Sequence, residues 1–477
     1  MAATRPTHPG LTILLTAIAY FMVMLDALVV VTALPSIHRD LGGNVSTLQW
    51  TVSAYTIAFG GGILTAAALG DRFGRRRVYL IGLVLFTGAS AACALAPTSG
   101  ALIAFRVIQG VGAAIVMPLS LALLTATFPS EKRGAVVGIW GGIAGLAVAS
   151  GPLIGGGITE GLNWHWIFWV NVPIGVAAFV GSSIWLAESR GERARLDVPA
   201  LVLVSAGVSL LIWGLVSASQ RGDWGWSWSL VGLVAGALCL VSFVVWESRA
   251  PEPMVPLSLF RAGTFSTAAG AQFLNAGAIF SAAFLTSQFF QFSLGYSPLG
   301  TGLRFLPWTA APLVVAPIAG ALSDRIGPRA LIVPGLAMQA AGFTWIAVLA
   351  SRSAGYDDYI GPFIIAGIGI SMAFPCITAG GLNAVAPAML GKAAGTLNTM
   401  QQFGAVFGIA VATAVFDSRG SLATPDSVLS GYRPAMAVAA GFSVLGSIIA
   451  LGVRASVQSS SAVNGEATAQ PDIIVVS

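Results

Sequence analysis

Leu69-Gly70-Asp71-Arg72-Phe73-Gly74-Arg75-Arg76 closes one apolar run, and Leu322-Ser323-Asp324-Arg325-Ile326-Gly327-Pro328-Arg329 closes another. Leu, Asp, Arg, Gly and Arg recur at the same places with an offset of 253 residues, the signature of an internal repeat. A bilayer is crossed by roughly 20 apolar residues. Outward from the two copies, fourteen such runs are found: 11–34, 48–69, 78–95, 101–124, 134–158, 167–187, 198–217, 228–246, 264–290, 300–321, 330–350, 360–381, 394–416 and 434–454. The first copy follows run 2 and the second follows run 10. Runs 1–6 and 9–14 are therefore matching halves, and runs 7 and 8 are an inserted pair. The expected organisation is an N-terminal six-helix bundle at 1–190, the inserted pair and a cytoplasmic linker at 191–262, and a C-terminal six-helix bundle at 263–454. Residues 455–477, rich in Ser, Ala and Gln, are expected to be a disordered cytoplasmic tail.

The 477 residues are 56% hydrophobic and only 9% charged, with a mean hydropathy of +0.85. A soluble domain carries roughly 25% charged residues, so lipid must cover most of this surface. The fold class is an all-α polytopic membrane protein with 14 transmembrane helices. The first apolar run is too long for a signal peptide and lacks a small-residue cleavage site, so it is expected to remain as a span. A net charge of +5 does not mark a nucleic-acid surface here, because the basic residues fall in short loops. Cys93, Cys239 and Cys376 lie inside apolar runs without a CxxC or His cluster, which reads as core packing. No nucleophile–base pair or metal spacing appears, so the expectation is no enzyme, no metal and no cofactor beyond a coupling proton.

With the N-terminus placed in the cytoplasm, inside segments hold sixteen Lys and Arg and outside segments hold five. That split fits the positive-inside rule and an even helix count. Both termini are expected on the cytoplasmic side of the cytoplasmic membrane.

Of 18 Asp and Glu, only Asp26 sits well inside a run. An ionisable group at membrane depth costs about 2.5–3.5 kcal/mol on insertion scales and is a functional candidate on that ground. Such a carboxylate suits proton binding and release; a structural hydrogen bond to a neighbouring helix is the plainer alternative. Arg106 in run 4 falls in the same half of the membrane and is the candidate partner, against the plainer reading of snorkelling to the surface. After run 2, Gly74 allows a tight turn between helices. Asp71, Arg72 and Arg75, with Asp324, Arg325 and Gly327 in the second copy, can latch one side closed, besides signalling orientation. Gly151, Pro152, Gly155 and Gly156 in run 5 permit a bend and close packing. Asn163-Trp164-His165-Trp166 reads as an interfacial aromatic belt. Gln272, Asn275 and Gln288 in run 9, and Asn398 and Gln402 in run 13, stand among aromatics. They suit an amphiphilic substrate and equally suit interhelical hydrogen bonds.

Together these motifs resemble the major facilitator superfamily, specifically its 14-helix drug:proton antiporter branch. Leu25-Asp26 through Ala33-Leu34-Pro35 resembles the branch's helix-1 signature, whose Asp is implicated in proton coupling. The Asp71 loop resembles the superfamily's gating motif, and Arg106-Val107-Ile108-Gln109-Gly110-Val111-Gly112 its helix-4 motif, whose Arg is linked to proton transfer. Gly151-Pro152-Leu153-Ile154-Gly155-Gly156 resembles the helix-5 motif of exporters, and Trp164 through Asn171-Val172-Pro173-Ile174-Gly175 a further mark of the branch. Leu28 and Val31 stand where Thr and Asn are usual, Ala67 and Ala147 where Gly is usual, and run 13 lacks the acid some relatives carry. The resemblance implies a major facilitator fold and a monomer that exports amphiphilic drugs or antibiotics in exchange for protons. A dedicated exporter of one endogenous metabolite, and a non-transporting receptor or scaffold, remain open readings.

Overall fold

A computed structural model describes residues 9–42, 45–128, 143, 146–147, 150–190, 197–221, 228–251, 253, 257–385 and 389–453. The proposed tail at 455–477 lies outside them. Among the described residues the secondary structure is helical, without strands. In chain order the helices are α1 (Pro9–Leu41), α2 (Val45–Phe73), α3 (Arg75–Ala94), α4 (Ser99–Thr127), α5 (residues 150–161), α6 (Trp166–Trp185), α7 (Val198–Arg221) and α8 (Trp228–Arg249). A short turn of helix, Leu257–Arg261, then leads into α9 (Gly263–Ser293). Next, α10 is built of three pieces, Pro298–Arg304, Leu306–Thr309 and Ala311–Ile326, and is followed by α11 (Arg329–Leu349), α12 (Tyr356–Leu382), α13 (Leu390–Arg419) and α14 (Pro425–Ala450).

Eleven of these helices are long and apolar enough to cross a bilayer. A twelfth is α2, bent by 48° between Thr47–Ile63 and Thr65–Phe73. The described parts of α5 and α7 coincide with two further expected runs, so the count is compatible with fourteen. Proline accounts for the interruptions. Pro307 and Pro312 each lie at the second position of a piece of α10, where the missing N–H ends the piece before it. The expected continuous run at 300–321 is therefore broken. In α6, Pro173 lies four residues beyond Trp169 and has no N–H to donate to its carbonyl, while Val170 between them keeps right-handed helical dihedrals.

Within the first half, α4 packs on α1, α2 and α3, and α6 packs on α1 and α3. In the second, α9 packs on α12, α13 and α14, and α11 on α12 and α14. The halves meet where α2 lies along α13 and where α1 meets α9 and the first piece of α10. Lipid tails are as apolar as leucine, so helix association relies on close packing of small residues. A Cβ on Gly112 would stand 2.5 Å from Phe86 N, and one on Gly335 2.8 Å from Gly369 O. The inserted α7 rests on α2 and α13, with α8 held against α7.

Candidate functional site

Asp26, halfway along α1, is 2% exposed, and Arg106 of α4 is fully buried. Arg106 Nη1 donates to Asp26 Oδ2 at 2.5 Å. On the other carboxylate oxygen, Oδ1 accepts from Gln109 Nε2 at 2.9 Å and from Asn171 Nδ2 at 2.8 Å. Both amides also donate to Ser90 Oγ, which in turn donates to Phe168 O. Arg106 Nη1 donates further to Gln109 Oε1, and Nε to Thr51 O. The Arg106 guanidinium lies 4.0 Å from the centroid of the Tyr55 ring, and Tyr55 donates to Val23 O. One carboxylate thus gathers side chains from α1, α2, α3, α4 and α6. Its two oxygens accept three hydrogen bonds, one from a cation, which compensates the cost of burying the charge.

The contact of Asp26 with Arg106 excludes snorkelling for the arginine, whose head is not at the surface. Gln109 has a sequence signal: three residues after Arg106, it shares that face of the helix. Asn171 lies on the buried face of α6 that also holds Gly175 and Ala178, four and seven residues on. Ser90 has no signal beyond being polar in an apolar run.

The stretch at Asp71 differs from the expected loop. The helix of α2 continues through Asp71 and Arg72 to Phe73, leaving Gly74 alone as the linker. Gly74 has φ +110°, and Gly327, its repeat counterpart, has φ +86°. That left-handed region explains why both copies keep glycine. Asp71 pairs with Arg75 at 2.7 Å, one turn away and within its own half. The long-range partner is Glu188, which the sequence reading missed. Its carboxylate accepts from Arg76 N at 2.9 Å and Arg77 N at 3.3 Å, occupying the positive end of α3. Arg75 N donates to Ser189 O, and the Arg76 guanidinium donates to Ser182 O and Ser183 O. The chain leaving α6 is therefore clamped onto the start of α3. Arg72 is exposed beside Phe73, and Arg325 is exposed at the end of α10. The side chain of Asp324 lies outside the described residues.

In α5, Gly151 faces Leu28 and Gly155 faces Thr32 and Val29, all on α1. Gly156 packs against the backbone of Pro298 and Leu299, and Gly302 reciprocally against Pro152 and Leu153. The glycines thus allow backbone-to-backbone contact between α5 and the first piece of α10. Beside it, Leu299 N donates to Glu160 Oε2 at 3.0 Å. Two bonds join α1 and α9 near the same end, Ser287 Oγ to Val31 O and Gln291 Nε2 to Thr32 O. The halves are closed together at the end that carries Trp164, whose indole donates to Asp40.

The five polar candidates of α9 and α13 have separate surroundings. Gln272 donates to Gln401, Asn398 to Met117 Sδ, and Gln402 packs against Gly60. Asn275 and Gln288 are buried, and none of their amide atoms has a hydrogen-bond partner. Phe289 stacks on Tyr432 at 4.3 Å, and Phe290 packs on Phe305 and Phe363. These aromatics belong to the apolar core in this conformation.

The model of the Major Facilitator Superfamily matches residues 16–409 and 268–473. The tetracenomycin C resistance and export protein of Streptomyces glaucescens is 34% identical over 429 residues, covering 90% of this chain and 79% of that protein. The cephamycin export protein CmcT of Amycolatopsis lactamdurans is 36% identical, covering 89% and 88%. The multidrug transporter protein MdtP of Bacillus subtilis is 34% identical, covering 87% and 77%. Among solved structures, a D-xylose-proton symporter superposes with a TM-score of 0.67 at 14% identity, covering 94% of this chain and 98% of that one. The chain belongs to the Major Facilitator Superfamily, a family of multi-pass membrane transporters.

Proposed function

We propose that the protein exports amphiphilic small molecules, drugs or antibiotics, across the cytoplasmic membrane in exchange for protons, by alternating access. The observation that carries this reading is the buried Asp26–Arg106 pair and the amides around it. When Asp26 takes up a proton, its charge-assisted bond to Arg106 weakens, and the guanidinium must find other partners or move. That rearrangement touches five helices of the first half at once. Loss of the proton restores the pair. The coupling ion is thus a proton, and the chain's own residues supply the exchange site.

The export reading is supported by the relatives, each named for multidrug transport, resistance or export of an antibiotic. In the orientation given by the basic loops, both termini are cytoplasmic and the closed Trp164 end faces outwards. The six-helix units 1–190 and 263–454 then rock about the α2–α13 and α1–α9 seams. Asn275 and Gln288, buried without partners here, become available to cargo when those seams part. A second reading is favoured by relatives named for single compounds: a dedicated exporter of one metabolite.

Reconstituted vesicles with an imposed pH difference test the proposal. A panel of amphiphilic compounds is offered, and the expected result is uphill accumulation that collapses with a protonophore. Accumulation indifferent to the pH difference would overturn proton exchange. Movement of none of the compounds, by protein with wild-type thermal stability, would remove the multidrug reading.

A further inference from the structure

The mechanism does not use the space between the inserted pair and the two halves. A cavity of about 330 Å³ opens there, walled by Val204 of α7, Phe243 and Val244 of α8, Leu257 and Phe260 of the linker turn, and Met400 of α13. The volume falls in the range of small-ligand sites. Gly60 and Gly61 of α2 form its inner wall. Its two threonines offer a guest little, because Thr396 donates to Lys392 O and Thr399 to Gly60 O. An occupant must therefore be apolar where it sits.

The rim carries the opposite character. Each outer wall brings an exposed basic residue to the same end: Arg249 closes α8, Arg261 follows Phe260, and Lys392 lies one turn before Thr396. Arg249 and Arg261 have no ion-pair partner among the described residues, and Lys392 donates only to Pro253 O. Two acids among the described residues near this end are otherwise placed. Glu247 is buried, and Asp197 accepts from Trp246 Nε1 and Ala200 N.

We propose that this crevice binds one anionic phospholipid, an acyl chain in the cavity and the phosphate headgroup among Arg249, Arg261 and Lys392. An apolar slot under a basic rim that has no ion pair among the described residues, between transmembrane helices, matches the two ends of such a lipid and not those of a cationic amphiphile. Since the cavity touches both α2 and α13, the lipid bridges the inserted pair to the seam between the halves.

The test is native mass spectrometry of the full-length purified protein titrated with lysophosphatidylglycerol and with lysophosphatidylcholine of equal chain length. Saturable binding that prefers the anionic lipid is expected. Arg249→Gln, Arg261→Gln and Lys392→Gln should each weaken it about fivefold. Arg261→Lys should keep wild-type affinity, and Val204→Trp, which fills the slot, should abolish the site. Equal binding of the two lipids, or no weakening in any Gln variant, would overturn the proposal. So would competition by glycerol phosphate alone, which has a headgroup and no chain. If the cationic dye rhodamine 6G binds more tightly than the lipid, and tighter still in the Gln variants, the crevice belongs to cargo and the proposal is wrong.

Discussion

Asp26 accepts three hydrogen bonds while remaining paired to a cation. Asp26→Asn keeps the volume and much of the bonding but has no proton to exchange. Vesicles carrying this variant are expected to bind substrate and permit downhill exchange, yet to lose uphill accumulation under a pH gradient. Uphill transport at the wild-type rate would place coupling elsewhere. Arg106→Gln leaves the carboxylate buried without its cation, and about 3–5 kcal/mol of stability should go with it. Because the pair acts as a unit, Asp26→Asn combined with Arg106→Gln should be more stable than the sum of the single losses, as read by thermal unfolding in a double-mutant cycle.

Elements are joined at two glycines with different physical roles. At Gly74 the constraint is conformational: φ is +110°, and a Cβ would stand 2.9 Å from the Glu188 carboxylate. Gly74→Ala should cost about 1–2 kcal/mol from the left-handed backbone alone, seen as a lowered melting temperature. Glu188→Gln retains an acceptor but gives up the charge at the start of α3. It should slow transport while substrate affinity stays near wild type, and lost affinity in a folded variant would count against a conformational role. At Gly156 the constraint is space, since Pro298 and Leu299 of the other half fill the position of a side chain. Gly156→Leu should hold the Trp164 end apart. A cysteine placed at Val31, against Ser287, should then react faster with an impermeant thiol reagent than in the parent.

At the scale of the molecule, the charge split among loops predicts an orientation that reporter fusions can read. Fusions at Ser219 and Asp357 should report the outside, and fusions at Ser189 and Asn383 the inside. A cytoplasmic signal at Ser219 would remove the inserted pair as two spans. The pair itself leans on the α2–α13 seam rather than standing apart in lipid, so motion at that seam must carry α7 with it or slide past it.

What the sequence by itself determined was one-dimensional. Apolar runs located the helices because a span must satisfy its backbone internally and face hydrocarbon. Basic loops predict their orientation, the repeat at Asp71 and Asp324 predicts two matching halves, and the solitary acid singled out Asp26. Only the tertiary structure decided which faces meet. A helix apolar on every side carries no periodic signal of its inward face, so nothing along the chain brought Ser90 or Glu188 to the places they hold. Likewise nothing along the chain told that Phe289 and Phe290, beside Gln288, pack into the core. The Asp26 network draws on residues 51, 90, 106, 109 and 171. Partners so far apart in sequence are chosen by helix packing, which depends on where small residues let backbones approach, and that is a property of pairs of helices rather than of any one run.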